Sequence, residues 1–331
     1  MTSTRLTVGA DHLASSEVTL SDRVHRGRWM TLAVLCLSLL VVVVDNTIVN
    51  VALPTLAEDL SAGTSSLQWI VDAYALVFAG LLLTGGSLGD RRGRKGALTA
   101  GLVIFAAASA AGALATTSGQ LISARAVMGA GAALVMPATL SILTNVFTDP
   151  TERAKAIGLW SAVAGIAIAL GPIGGGALLA HFSWGSIFLV NIPIVAVALI
   201  LGVRYVPTSR DASTSKLDLG GAFLSMVGVG LLVWALIEAP SRGWTDGLVV
   251  GAFAASLVLL AGFVRHELRV TQPMLDVRFF LNPRFTAANV SIMFLFFALS
   301  GFIFGAARYL QSVQGYTPLG TVCAPFPSPR A

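Results

Sequence analysis

A polytopic, all-helical membrane protein of about nine spans is the fold this sequence predicts, and three observations predict it. Of 331 residues, 55% are apolar and only 11% charged, where the surface of a water-soluble chain calls for about a quarter charged residues. Continuous apolar runs, each long enough to cross about 30 Å of hydrocarbon, recur from residue 29 to residue 309, without the alternation of a membrane barrel. Lys and Arg, finally, crowd into alternate loops, as they do when basic residues are retained on the cytoplasmic side. The net charge of +5 therefore reports topology and implies no nucleic-acid partner. Cys36 and Cys323 are too few for a disulfide framework or a metal site,. His12, His25, His181 and His266 are scattered at tails and loop edges, most simply solvated, and no Ser-His-Asp set, zinc motif or phosphate loop occurs. Neither a metal, a cofactor nor an enzymatic activity is expected.

Taken in order, a basic tail, 1–28, precedes span one at 29–52. This span is too long for a signal peptide, and its far end reads Asp45-Asn46-Thr47-Ile48-Val49-Asn50-Val51-Ala52-Leu53-Pro54, with no small-residue cleavage site,. Asp45 and Asn46, with Val49 and Asn50 one turn on, are expected to form a polar stripe in an apolar helix. A carboxylate buried in the membrane suits Asp45 to taking up and releasing a proton; structural pairing with a neighbouring helix is the alternative. Span two, 67–88, opens with Trp69-Ile70-Val71-Asp72-Ala73-Tyr74-Ala75-Leu76.

The loop into span three (96–117) reads Gly86-Ser87-Leu88-Gly89-Asp90-Arg91-Arg92-Gly93-Arg94-Lys95-Gly96-Ala97-Leu98. Its glycines let the turn tighten and the helices approach. Asp90 can accept charge-assisted hydrogen bonds, while Arg91, Arg94 and Lys95 can anchor the turn to anionic headgroups or to carboxylates of a neighbouring element. A loop that only sets topology is the alternative. Span four, 119–146, carries Arg125 near its predicted external end. An arginine in a span costs about 2.5 to 3.5 kcal/mol, so it needs water, a counter-charge or backbone acceptors, or it snorkels to the interface. Span five, 155–179, carries Gly158 and then Gly171-Pro172-Ile173-Gly174-Gly175-Gly176. Such glycines permit close helix contact, and Pro172 bends the axis.

Span six, 185–206, completes a six-helix block, 29–206. A basic-polar linker, 207–216, separates it from spans seven and eight at 217–239 and 247–266, a pair occupying 217–266. A loop and span nine, 285–309, make up 267–310, and a Pro-rich, non-membrane tail follows at 311–331,. The N-terminal tail and the even-numbered loops hold seventeen of the basic residues, among them Arg28, Arg153, Lys155, Arg204, Lys216 and Arg265, whereas the odd-numbered loops hold Arg242 alone. The N-terminus is therefore expected in the cytoplasm, with the chain in the plasma (inner) membrane. Trp29, Trp69, Trp184 and Trp234 fall near predicted span ends, where an amphipathic ring prefers the interface,.

The loop at 86–98 resembles the signature loop of the major facilitator superfamily, G-x-L-x-D-R-x-G-R-K-x-x-L, at every defined position. The Arg125 region is similar to the superfamily's fourth-helix motif, with Met128 where that motif usually has Gln. Span five resembles the antiporter motif of its exporters, with Ala167 replacing one glycine. Asp45 to Pro54 and Trp69 to Leu76 look like segments of its fourteen-span drug:proton antiporters. The resemblance runs from about residue 29 to residue 318. It implies an N-terminal six-helix bundle plus two extra helices, with span nine as the first helix of a second bundle whose other helices are absent, so the chain reads as C-terminally truncated. It implies proton coupling through Asp45 and Arg125, and a gating loop containing Gly86, Asp90, Arg91, Gly93, Arg94 and Lys95. It also implies an antiporter helix marked by Gly158, Gly171, Pro172, Gly175 and Gly176. The function expected is proton-coupled export of small amphiphilic or cationic compounds by alternating access, with a small-molecule substrate, protons and membrane lipid as partners. The alternative is a truncated, transport-incompetent membrane fragment of such an exporter.

Overall fold

The computed structural model describes the backbone of residues 4–209, 218–270 and 277–312. Among these there are ten α-helices and no strand: α1 (Thr4–Asp59), α2 (Thr64–Arg92), α3 (Arg94–Ala113), α4 (Ser118–Val146), α5 (Pro150–Leu179), α6 (Ser186–Leu189), α7 (Asn191–Tyr205), α8 (Leu219–Arg242), α9 (Gly247–Glu267) and α10 (Pro283–Ser312). A 3-10 turn, Val277–Leu281, precedes α10. Eight segments are long and apolar enough to cross a membrane, from Gly27–Asp59 to Gly247–Glu267. They coincide with the first eight apolar runs. The ninth run falls on α10, where the described apolar part, Pro283–Ala298, is shorter. The expected linker at 207–216 and tail at 311–331 lie largely outside the described residues.

Helix boundaries follow local chemistry. Pro150 opens α5, where its missing N–H costs nothing, and the Asp149 carboxylate accepts from the N–H groups of Thr151 and Glu152 at 3.0 and 2.9 Å,. Asp246 caps α9 and Thr117 caps α4 in the same way. Gly93, with φ of +119°, turns the chain from α2 into α3 where an L side chain would be strained,. Span six is not one regular helix: it divides at Val190 into α6 and α7. Pro193 cannot donate to the Leu189 carbonyl, so the hydrogen-bond ladder breaks there.

In the core, α4 lies against α2 and α3, and α1 against α5 and α7, with α1 and α4 also in contact. Leu35, Val41, Ile48, Phe105, Leu121, Met128 and Phe188 are buried together between them. Trp184, just before the sixth span, is buried edge-on to Phe188. Helices α8 and α9 form a pair with a small core of its own, Ala235, Ala239, Val249 and Ala252, and α8 docks on α2. His266 departs from the expectation of simple solvation: its Nε2 donates to Asp218 Oδ1 at 2.8 Å, tying the end of α9 to the start of α8.

Candidate functional site

Two charged residues from the apolar runs meet inside the six-helix block. Asp45, on α1, and Arg125, on α4, are fully buried and form an ion pair through Oδ2 and Nη1. Removing both charges from solvent is costly, and the pair is sustained only where the remaining hydrogen-bonding capacity is also met. Most of it is. Asn191 Nδ2, at the start of α7, donates to Asp45 Oδ1 at 2.8 Å and to Ser109 Oγ on α3 at 2.9 Å. Ser109 in turn donates to the Phe188 carbonyl at 3.0 Å, beside the break in span six. Arg125 Nε donates to the Ile70 carbonyl of α2 at 3.1 Å, and the guanidinium carbon lies 4.4 Å from the Tyr74 ring centroid, a cation–π distance. Tyr74 is held there by its own hydroxyl, which donates to the Val42 carbonyl at 3.2 Å. One carboxylate thus connects α1, α2, α3, α4 and α7.

Arg125 Nη2 and Asn191 Oδ1 are buried without a hydrogen-bond partner among the described residues. In a low-dielectric interior each unmade bond of this kind is costly. Close packing supports it: a Cβ on Gly129, one turn after Arg125, would sit 2.5 Å from the Tyr74 carbonyl oxygen. Snorkelling of Arg125 is ruled out by its complete burial. The expected polar stripe on α1 is divided, since Asp45 is buried while Asn46 and Asn50 are exposed on another face. Successive helix residues are about 100° apart, so Asp45 and Asn46 cannot share one narrow contact.

The loop between α2 and α3 is fastened mostly to the protein itself. Arg94 Nε donates to Asp90 Oδ1 at 2.6 Å, and Arg94 N–H donates to the Ser209 carbonyl at 2.9 Å. Lys95 Nζ donates to the Val203 carbonyl at 2.9 Å. Among the described residues the loop is therefore held to the end of α7 and the segment after it through backbone carbonyls, while the Asp90 carboxylate of α2 holds the first residue of α3. Arg91 is exposed. Gly86 and Asp90 line an open groove bounded by α2, α4 and α5, together with Pro137, Ser141 and Trp160.

On α5 the glycines divide into two sets. Gly171 and Gly175 face α1: a Cβ on Gly171 would overlap the Thr47 hydroxyl, and one on Gly175 would lie 2.8 Å from Ile48 Cγ1. These contacts put α5 against the helix that carries Asp45, two residues from it. Gly176 is buried too, whereas Gly158 is exposed with open space beside it. Pro172 is inside the helix, partly buried. The structure thus gives packing roles to Gly171 and Gly175 and none to Gly158. Asn191 and Ser109 were not singled out by the sequence reading, and the one available signal was an amide following Val190 inside a strongly apolar run.

A family model described as Major Facilitator Superfamily matches residues 35–328. Among curated proteins, the chain is 43% identical over 291 residues to the multidrug efflux pump LfrA of Mycolicibacterium smegmatis, covering 88% of this chain and 58% of that protein. It is 42% identical to a methylenomycin A resistance protein of Streptomyces coelicolor, covering 83% and 58%. To the multidrug resistance protein Stp of Mycobacterium tuberculosis it is 36% identical, covering 91% and 57%. The chain therefore spans less than two thirds of the length of these relatives. Among solved structures, tetrameric PepTSo2 superposes with a TM-score of 0.54 at 16% identity, covering 85% of this chain and 60% of that one; at that identity the likeness concerns the fold alone.

Proposed function

The chain belongs to the major facilitator superfamily, a family of multi-pass membrane transporters, and from that premise we propose that it exports small amphiphilic or cationic compounds in exchange for protons, by alternating access. The observation that carries the reading is the buried Asp45–Arg125 pair with its ties to five helices. Protonating Asp45 removes the counter-charge of Arg125, which then keeps only the Ile70 carbonyl and the Tyr74 ring. Losing that attraction loosens α1 from α4 and α7 at one point, so a proton is converted into a change of helix packing. Gly171 and Gly175 would transmit it to α5, and the Asp90–Arg94 loop would gate the cytoplasmic side.

The relatives named as efflux and resistance proteins support export of drug-like molecules as the direction and class. The loop bias of Lys and Arg supports a cytoplasmic N-terminus in the plasma membrane,. On this reading the protein is not an enzyme, needs no cofactor, and engages substrate, protons and lipid but no nucleic acid. The test is dye accumulation in an efflux-deficient host carrying the chain alone or joined in frame to the second half of the M. smegmatis relative. A lowered ethidium level in one of these hosts, reversed by a protonophore, is expected. Accumulation equal to the empty host in both would contradict the proposal.

A further inference from the structure

The connection from α9 to α10 carries Arg265, Arg269, Arg278 and Arg284 against Glu267 and Asp276, and Glu267 is buried. Its last part is the 3-10 turn Val277–Leu281, where three phenylalanines gather. Phe285, in the first turn of α10, lies 5.8 Å centre to centre from Phe279 and 5.2 Å from Phe280, edge-on to the latter. The backbone beneath the rings is fixed by its own hydrogen bonds. Asn282 Oδ1 accepts from the Arg284 N–H at 3.0 Å, with Pro283 opening the helix between them, and Thr286 Oγ donates to the Phe280 carbonyl at 2.6 Å,. The elbow therefore has a definite shape before any partner meets it.

Among the described residues, the turn and α10 pack on each other and make at most slight contact with any other helix. Phe279 is 58% exposed and Leu281 83%, with Arg278 and Arg284 exposed beside them. A cluster of rings and a leucine is costly to hold in water and marks a surface that meets a partner. Arginine interleaved with phenylalanine is the chemistry of a membrane interface. Rings enter the boundary between acyl chains and headgroups, while guanidinium groups on apolar stems reach phosphate oxygens. Two features favour lipid over a protein surface. The apolar part of α10, Pro283–Ala298, runs directly on from the elbow, which puts the elbow where that run meets the headgroups. From Val277 to Ser312 the sequence has no acidic residue, so the segment's own charge is positive throughout, the sign that an anionic headgroup complements.

We propose that the elbow from Arg278 to Phe285 is an anchoring site for anionic phospholipid. Phe279, Phe280, Leu281 and Phe285 lie among the upper acyl carbons, and Arg278 and Arg284 hold the headgroup. The site fixes the depth at which α10 enters the bilayer. Export plays no part in the argument; only the choice of leaflet, the cytoplasmic one, rests on the loop bias of Lys and Arg.

The test uses the whole chain in lipid nanodiscs, with a bimane label carried by Leu281→Cys and the native thiols removed by Cys36→Ala and Cys323→Ala. Nitroxide-bearing phosphatidylglycerol and phosphatidylcholine, at equal mole fraction, are the membrane quenchers, and iodide is the aqueous one. A nitroxide near the headgroup should quench more than one near the chain end, and phosphatidylglycerol should quench at least about twofold more than phosphatidylcholine. Arg284→Gln combined with Arg278→Gln should make the two lipids equal, whereas Arg284→Lys keeps the preference because it keeps the charge. Phe285→Ser should raise quenching by iodide, and it reports on the apolar half of the site even if an arginine variant fails to fold. Strong iodide quenching of wild type would place the elbow in water, and protection from every quencher would mean that protein covers it; either would overturn the proposal. Equal quenching by both lipids in wild type, or a preference that survives loss of both arginines, would overturn it as well. None of these readings needs transport, so failure of the dye-export test leaves the anchor standing.

Discussion

Replacing Asp45 by Asn leaves Arg125 as an unpaired charge in a fully buried position. Breaking a buried pair from one side costs about 3 to 5 kcal/mol, so Asp45→Asn is expected to lower thermal stability as well as abolish proton-coupled export. The double variant Asp45→Asn with Arg125→Gln should recover most of the stability and none of the coupling, which a double-mutant cycle on unfolding temperature and dye export will separate. Stability that falls additively in the double variant would argue against the pair. The two charges were legible in the sequence because each is a rare residue inside an apolar run. Their partners were less so. Ser109 and Asn191 are single polar residues on other helices, and only the packing of α7 against both α1 and α3 joins them to Asp45. Asn46 and Asn50 misled for the opposite reason, since closeness in sequence does not survive the 100° step between helix positions.

Among the elements, α5 offers the sharpest contrast. Gly171→Ala must displace Thr47 or Ile48 and should destabilise the protein by about 1 to 3 kcal/mol, as overpacking does. Gly158→Ala, with nothing within 4 Å of its Cβ position, should hold or slightly raise the unfolding temperature, as Ala for Gly inside a helix does. The glycine motif read from sequence could not distinguish the two, because spacing records which residues are small and not which face meets α1. The joint of α8 and α9 gives a pH prediction. Burial pushes the Asp218 carboxyl up, but the Gly221 N–H, the His266 side chain and the Gly220 N–H outweigh it and hold the group below its usual range. A carboxylate whose folded value is depressed contributes stability above its unfolded value and loses it as pH falls through the folded one. Unfolding temperature should therefore hold down to about pH 4 and decline below it, and Asp218→Asn should lack that part of the decline. The eight spans were legible from hydropathy alone, whereas the break at Val190 needed the missing N–H of Pro193 to be weighed against the run of apolar residues.

For the molecule as a whole, the loop bias predicts that a cysteine at Arg92 is labelled by an impermeant reagent only from the cytoplasmic side, and one at Ser61, between α1 and α2, only from outside,. The reverse pattern would invert the orientation and with it the side on which the Asp90–Arg94 loop acts. On the proposed reading, packing around a single carboxylate would make the six-helix block responsive to protons, since five helices contribute to the site of Asp45. The most direct measurement is the collapse of an acid-inside pH gradient on adding ethidium to everted vesicles that carry the dye-exporting form. Wild type should dissipate the gradient, and the stability-restored Asp45→Asn, Arg125→Gln variant should not; dissipation by that variant at the wild-type rate would contradict coupling through the pair.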